Sequence, residues 1–571
     1  MKTTNKPYKA APPAETVERI RRIIAACRLP VAEVPFGDGK MFCSCRIAIT
    51  RNAGDTAIGT NGKGMNNLYA RASGYAEFME RLQNRVIIYP NPVSYGRPCR
   101  FFPDEEMRRL SITEVEESIR RYMPRTMPAC GHVNPGIEAV DCASLPFYYV
   151  NGRRVEQLPY SIIRWVNGTN GMCAGNIREE ALIQGFNEIF ERYCLQEMYR
   201  REITPPDVPA ETFAKTPIME RLEQIKAEYG MEYQIKDYSL GEGFPVIGLM
   251  VYSPDRGKYI MQLGSDLDPA VALERCFTEV FQGYTAQTLT FENGVNACER
   301  LDLFNEFKRS FMYGRGRLPQ SFFGGKPSYP YHGHTTIPIG NNFGEDLRNI
   351  TGWIIGKGYD IYVRDNSFLD FPALHIVVPG LSEISRTFCD IDRRIRRMQL
   401  TENCINPLYR LRELDREECL ATIDYIEDTA GDAIDLFCHN TNPDNHVNRH
   451  LLLMLLYVAT EQNGFARRSL ERYGEYCLSK GKTLPPIFES ILMLLQGKSP
   501  VGDPQAAALA NKFLASPEQA MRWVNVPTCF DCRRCPVAKG CRYTLMQEVE
   551  DIMQRRMAGN MINQETLSNI F

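Results

Sequence analysis

No run of apolar residues in this sequence approaches the roughly 20 needed for a bilayer-spanning helix, so no membrane segment is expected. The opening stretch, MKTTNKPYKAAPPAETVERIRRII, has lysines but lacks the apolar centre of a secretory signal, and a cytoplasmic chain is expected. Neither sign of charge is in excess: 67 Lys and Arg stand against 69 Asp and Glu, a net charge of -2. A nucleic-acid binder would usually show a basic surplus, so direct nucleic-acid contact is not expected. The familiar phosphate-binding loop is missing, because Gly62-Lys63-Gly64 is followed by Met65 and not by Ser or Thr. Kinase HRD and DFG signatures are missing, and no GxGxxG opens a helix after a strand. The seven histidines do not pair at metal-ligand spacing; His332 and His334 sit two apart in a loop and read as packed or solvated.

What is present is a long chain of strands and helices. At 571 residues, two or three domains are the expectation. Strand-like runs rich in β-branched residues recur at 45–51, 244–253, 258–265, 360–366 and 375–380, bounded by Gly, Pro and Asp. Helical periodicity fills Asn66–Gln83, Arg178–Arg200 and Pro269–Phe281. This alternation predicts a mixed α/β (α+β) domain over residues 1–400. After Asn406-Pro407 the segments become helix-length and amphipathic, which predicts an all-helical domain over 401–571 with paired helices.

One phrase is written twice. Residues 59–82 read GTNGKGMNNLYARASGYAEFMERL, and residues 168–193 read GTNGMCAGNIREEALIQGFNEIFERY. Their ends align, Ser73 with Gln184, Gly74 with Gly185, Glu77 with Glu188, Glu80 with Glu191 and Arg81 with Arg192. Positions 73, 77, 80 and 81 share one helix face, while Tyr75, Phe78, Met79 and Leu82 take the other. An altered third copy, ALERCFTEVFQG, places Arg275, Glu279 and Gln282 on one face. A single ExxER helix is ordinarily a solvated face with i,i+4 ion pairs. Three related helices, each expected to follow a Gly-containing turn, argue instead that Glu77, Glu80, Glu180, Glu188, Glu191 and Glu279 meet. So many carboxylates need counter-charge, and hard divalent cations with oxygen ligands supply it. Arg81, Arg192, Arg275 and Lys63 would then meet phosphate oxygens. Carboxylates, Mg2+ and phosphates flanked by arginines describe a nucleoside-triphosphate site.

The motifs SGYAEFMER (73–81), NIREEALIQGFNEIFER (176–192) and RCFTEVFQ (275–282) resemble the nucleotide signature of the YcaO family, and the resemblance covers roughly residues 1–400. It implies a β-sheet platform carrying three motif helices around an ATP site. ATP and Mg2+ contacts are implied at Ser73, Glu77, Glu80, Arg81, Asn176, Glu180, Glu188, Glu191, Arg192, Arg275, Glu279 and Gln282, and at Lys9 and Thr16 near the N-terminus. Members of this family use ATP to phosphorylate the oxygen of a backbone amide to which a nucleophile has added. Azoline-forming members end in a proline-rich tail, whereas this chain ends NQETLSNIF. Its layout is similar to the stand-alone YcaO group, linked to β-methylthiolation of a small-subunit ribosomal protein beside a radical-SAM methylthiotransferase. An ATP-dependent amide-activating enzyme or accessory factor acting on a protein or peptide substrate, and a homodimer, are therefore the expectation. The alternative is a binding module that recruits a partner enzyme or substrate, with a vestigial or regulatory ATP site.

Most of the nineteen cysteines are scattered singly, and Cys43 and Cys45 share one strand face as core residues would. Cys529, Cys532, Cys535 and Cys541 are different. They fall in PTCFDCRRCPVAKGCRY at the spacing of a four-thiolate site for Zn2+ or an iron–sulfur cluster. The helix expected after them, TLMQEVEDIMQRRM, is expected to pack on the preceding bundle.

Overall fold

Among the described residues up to 384, three antiparallel sheets form the frame. In the first, β1 (Val31–Phe36), β2 (Cys43–Ile49) and β3 (Gly59–Gly64) lie in that order. A second contains β4 (Glu106–Ser111), β5 (Ala139–Tyr149), β12 (Tyr362–Asp365), β13 (Ala373–Val377) and β7 (Met172–Ala174) in spatial order, with β6 (Arg154–Leu158) paired to β5. The third runs β11 (Glu292–Asn293), β10 (Lys258–Ser265), β9 (Val246–Tyr252), β8 (Glu232–Asp237). The computed structural model describes residues 9–36, 43–51, 58–87, 102–125, 139–214, 216–254, 258–280, 292–293, 303–313, 316–319, 322, 325–384, 411–427, 433–435, 446–523, 543–559 and 562–571.

Helices α1 (Pro13–Cys27), α2 (Asn67–Gln83), α3 (Ile112–Tyr122), α4 (Tyr160–Asn167), α5 (Arg178–Arg200), α6 (Pro217–Tyr229), α7 (Pro269–Val280), α8 (Leu303–Tyr313) and α9 (Phe343–Gly356) cover the sheets. The mixed α/β class predicted for this part is what forms. Three strand–helix units matter for the site: β3 leads into α2, β7 into α5 and β10 into α7, each helix packing on the strand before it. Glycine makes the first and third seams close. A Cβ on Gly62 of β3 would lie 2.0 Å from the Ala70 carbonyl oxygen of α2, and one on Gly264 of β10 would lie 2.2 Å from the Ala272 carbonyl oxygen of α7. In the middle unit the helix supplies the glycine, since a Cβ on Gly185 would press on Cys173 of β7 and Ile376 of β13.

The repeated GTNG therefore has two structural meanings. Its first copy is the strand β3, paired with β2 from Gly59 opposite Ala48 to Gly64 opposite Cys43, and not the turn expected from its glycines. Its second copy is a turn, with Gly168 at φ 59° and Gly171 at φ 82°, in the left-handed region that glycine adopts without penalty. Strand pairing on one side and α2 on the other override the low strand propensity of Gly-Thr-Asn-Gly.

The end of α2 is fastened by buried polar groups. Gln83 Nε2 donates to the Phe371 carbonyl at 2.8 Å, and its Oε1 accepts from Leu369 N at 2.8 Å. Asn84 accepts at 2.8 Å from Asn366, which in turn accepts at 2.9 Å from Nε of the buried Arg364. Arg364 makes a two-pronged contact with Asp104 at 3.0 and 2.6 Å. These mates, from Gln83 to Asp104, are specific, and together they pin the register of α2 on the second sheet.

Helices Arg416–Glu427, Arg449–Ala459, Asn463–Ser479, Pro486–Leu495 and Pro504–Leu514 build a separate core around Ile423, Leu452, Leu456, Leu470, Ile491 and Phe513. Two details differ from the all-helical expectation for 401–571. Strands Ala433–Asp435 and His446–Asn448 pair antiparallel. Among the described residues, the helix Tyr543–Met557 adds nothing to this bundle's core; Met546, Val549, Met553 and Met557 join the core formed by α1, α2 and α3. Further along, Leu567 is buried in the core of α5, α8 and α9, and Phe571 stacks on Tyr148 of β5 at 6.3 Å. Amphipathic spacing marks a buried face but not what buries it.

Arg85, fully buried just past α2, pairs with Glu550 of that late helix. Removing one member of a desolvated pair leaves an uncompensated charge, so Glu550→Ala should cost about 3–5 kcal/mol of stability. Urea unfolding of the full chain checks this; a loss below about 1 kcal/mol would show that water reaches the pair.

Candidate functional site

The polar stripes of α2, α5 and α7 face a common recess. On α2 the stripe is Ser73, Glu77, Glu80 and Arg81; on α7 it is Arg275 and Glu279. On α5 the residues at i, i+4, i+8 and i+11 are Glu180, Gln184, Glu188 and Glu191, followed by Arg192. The apolar faces turn inward, with Phe78, Met79 and Leu82 of α2 fully buried and Phe186, Ile189 and Phe190 of α5 likewise.

Side-chain ties close these units into a ring. Lys63 of β3 pairs with Glu279 of α7, joining the first unit to the third. Arg275 of α7 donates to Gln184 of α5, joining the third to the second. Thr16 of α1 donates to Asn176 Oδ1 at 2.9 Å, and the Asn176 backbone N–H donates to Glu180 Oε2 at 2.9 Å. Lys9 lies 3.8 Å from the other oxygen of Glu180, and α1 packs on α2, completing the circuit.

Within the ring five carboxylates, Glu77, Glu80, Glu188, Glu191 and Glu279, act on one another, with Lys63, Arg81, Arg192 and Arg275 interleaved. Arg81 lies 3.7 Å from Glu77 and 3.4 Å from Glu80, and Arg192 lies 3.2 Å from Glu188. Burial raises the Glu77 carboxyl above its ordinary range; Arg81 and Lys63 oppose the rise, and Glu279 and Glu188 on the other two helices add to it. Glu77 keeps 32% of its side chain exposed, so the surroundings form a recess rather than a closed interior. Burial lifts Glu80 well above the carboxylate range, opposed by Arg81 and reinforced by Glu188 and Glu77. Glu191 is pushed up to about 7 by burial, with Arg275 opposing and Glu279 reinforcing.

This donor set is oxygen-only, negatively charged and crowded, which fits a hard divalent cation. Among the described residues no three His, Cys, Asp or Glu side chains converge as ligands of one ion. Mg2+ characteristically takes one or two carboxylates and completes its shell with waters and phosphate oxygens, so pairs of carboxylates on facing helices suffice.

Of the residues the sequence singled out, Lys9, Thr16, Lys63, Asn176, Glu180, Arg275, Glu279 and the ExxER residues of α2 and α5 lie on this ring, with Ser73 on the same α2 stripe. Gln282 and all four of Cys529, Cys532, Cys535 and Cys541 lie outside the described residues. Two participants went unassigned. Gln184, the acceptor of Arg275, stands in the register of Ser73, which was the available signal. Arg46 of β2 donates to Asn61 at 3.1 Å and acts electrostatically on Glu77, and nothing in the helix motifs points to it. His334 Nε2 donates to the Asp266 carbonyl oxygen at 2.6 Å, and burial holds the imidazole pKa down to about 4, a packed role.

The family description "YcaO cyclodehydratase, ATP- and Mg2+-binding" matches residues 61–382. The ribosomal protein S12 methylthiotransferase accessory factor YcaO of Escherichia coli is 27% identical over 344 residues, 57% of each chain. An uncharacterized protein of Haemophilus influenzae is 26% identical over 356 residues, again 57% of each. The chain thus spans little more than half the length of these relatives. Among solved structures, YcaO from Methanopyrus kandleri bound with AMPPCP and Mg2+ aligns at TM-score 0.41 and 17% identity, over 65% of this chain and 92% of that one. Among the described residues no helix is long and apolar enough to cross a membrane.

Each raised carboxyl holds its proton more tightly in the folded chain than in the unfolded one. The stability this contributes is complete below the ordinary carboxylate pKa and is lost as pH rises through the folded value, about 7 for Glu191. Ligand-free protein should therefore lose stability between pH 5 and pH 8, and Glu191→Gln should flatten that loss. Urea midpoints across this range are the measurement; parallel curves for wild type and variant would disprove the strained carboxyl.

Proposed function

The chain belongs to the YcaO family, and from that we propose that its α2–α5–α7 recess binds Mg2+ and the polyphosphate of ATP, and that the protein uses ATP to activate a backbone amide. The supporting observation is the convergence of five repelling carboxylates on three separate helices, a state the chain holds at a cost in stability. Glu77, Glu80, Glu188, Glu191 and Glu279 are the residues that would hold the metal, and Mg2+ supplies charge neutralisation of phosphate oxygens when bound. In the free protein Lys63, Arg81 and Arg192 are drawn to Glu279, Glu77 with Glu80, and Glu188. Once those carboxylates are engaged by cations, the same long side chains are available to phosphate oxygens. Thr16, Asn176 and Glu180 hold the N-terminal segment, and with it Lys9, at the rim.

The chemistry asked of such a site is positioning and charge neutralisation. An amide oxygen leaves poorly until it carries a phosphoryl group, and the attacking nucleophile belongs to the substrate. No protein nucleophile is required in the recess. Following its Escherichia coli relative, we further assign the chain as an accessory factor for β-methylthiolation of a small-subunit ribosomal protein, beside a radical-SAM partner. The independent core of residues 411–523 supports the recruiting role, because it adds a folded unit without side chains in the carboxylate ring. The cysteines at 529, 532, 535 and 541 are assigned to a Zn2+ or iron–sulfur site on their spacing.

Calorimetry with ATP and Mg2+ tests the nucleotide site: Glu77→Gln and Glu191→Gln should each weaken Mg2+-dependent binding by about 100-fold or more. Unchanged binding in both would refute the site. Phosphate release stimulated by a ribosomal-protein or peptide substrate supports amide activation, whereas slow turnover that no substrate stimulates assigns the chain as a recruiting module. Elemental analysis of anaerobically prepared protein reads the cysteines: about one zinc per chain, or several irons with sulfide. Metal-free protein would dismiss both.

A further inference from the structure

Arg192 is held from two sides, and only one of them is polar. Its Nε donates to Glu188 at 3.2 Å, one turn back on α5. On the other side its guanidinium carbon lies 4.4 Å from the centroid of the Phe311 ring on α8. Helix α8 packs on α5 to bring this about: Tyr199 meets Phe307 at 6.4 Å and the Ser310 hydroxyl at 3.0 Å, and Phe311, one turn beyond Phe307, meets Arg192. Phe307 and Phe311 are themselves 6.0 Å apart, so the ring is backed by another ring and by the core behind it.

We propose that Phe311 is the positioning residue for Arg192, holding the guanidinium plane at the recess by its ring face. This rests on the ATP reading above. The argument is one of partner exchange. Glu188 is among the carboxylates that a divalent cation would draw away, and a contact that depends on Glu188 weakens at the moment Arg192 is needed. The ring face carries no charge for a cation to compete for. A guanidinium flat on a phenyl ring keeps its edge N–H groups free to point at an oxyanion, so stacking and phosphate contact are compatible. Among the described residues no ring lies against Arg81, which instead lies between two carboxylates of its own helix.

Phe311 also fills space in the core, and the test must separate packing from the ring face. Leucine keeps apolar bulk without a π-face, and tyrosine keeps the face. Binding of a non-hydrolysable ATP analogue with Mg2+ would be measured by calorimetry on the full chain, with urea midpoints alongside. Phe311→Leu should weaken analogue binding about tenfold, Phe311→Tyr less than about twofold. In an Arg192→Ala background Phe311→Leu should add little, because the two side chains act as one unit. Equal weakening by Leu and Tyr, or a full tenfold effect that persists without Arg192, would overturn the proposal in favour of plain packing. Wild-type affinity in Arg192→Ala would instead remove Arg192 from the phosphate, overturning both this inference and that part of the ATP reading.

Discussion

Electrostatic repulsion among glutamates on three helices is the constraint around which this fold is organised. Left to themselves, Glu77, Glu188 and Glu279 would separate, since like charges a few ångströms apart in a recess cost several kcal/mol. What prevents separation is the strand-to-helix seams. Gly62 and Gly264 let α2 and α7 sit against their strands with no side chain between, and the Gln83–Asn84–Asn366–Arg364–Asp104 chain locks the far end of α2. The apolar undersides of the helices supply the energy, and the backbone contacts supply the precision.

The cations are arranged so that each unit borrows charge from another or from its own helix. Lys63 comes from a strand of the first sheet and neutralises a glutamate on the third unit, while Arg275 of the third unit reaches Gln184 on the second. Such cross-ties make the recess cooperative: displacing one carboxylate alters the setting of a cation two elements away. Burial raises Glu191 to about 7 even with Arg275 nearby, and Glu279 on the third unit adds to the rise.

Much of this was legible in the sequence because helices write their faces at fixed intervals. The spacing of Ser73, Glu77, Glu80 and Arg81, its repetition at 184–192 and its echo at 275–279 mark the ring's carboxylates as one set of helix faces. Where that regularity ends, so did the reading. GTNG at 59–62 carries turn residues but forms a strand, because pairing to β2 and the approach of α2 outweigh local preference. Met546, Val549, Met553 and Met557 announce a buried stripe, yet their partners are α1, α2 and α3, hundreds of residues earlier. Phe311 offered no signal at all, since an aromatic residue on an amphipathic helix is ordinarily core. Contacts between elements distant in sequence leave no periodic trace.

The late helix has a consequence for how the protein is made. Its methionines close the core beneath α2, and Glu550 reaches the buried Arg85, so α2 waits for residues made more than 450 positions afterwards. The bundle at 411–523 carries its own core and can condense as soon as it leaves the ribosome, while the carboxylate recess cannot be finished until the helix at 543–557 has emerged. Assembly therefore runs partly backwards along the sequence: a recess of crowded acids is completed only once residues 543–557 have been made, and a chain interrupted before them would expose the unfilled groove beside α1 and α2 to chaperones and proteases.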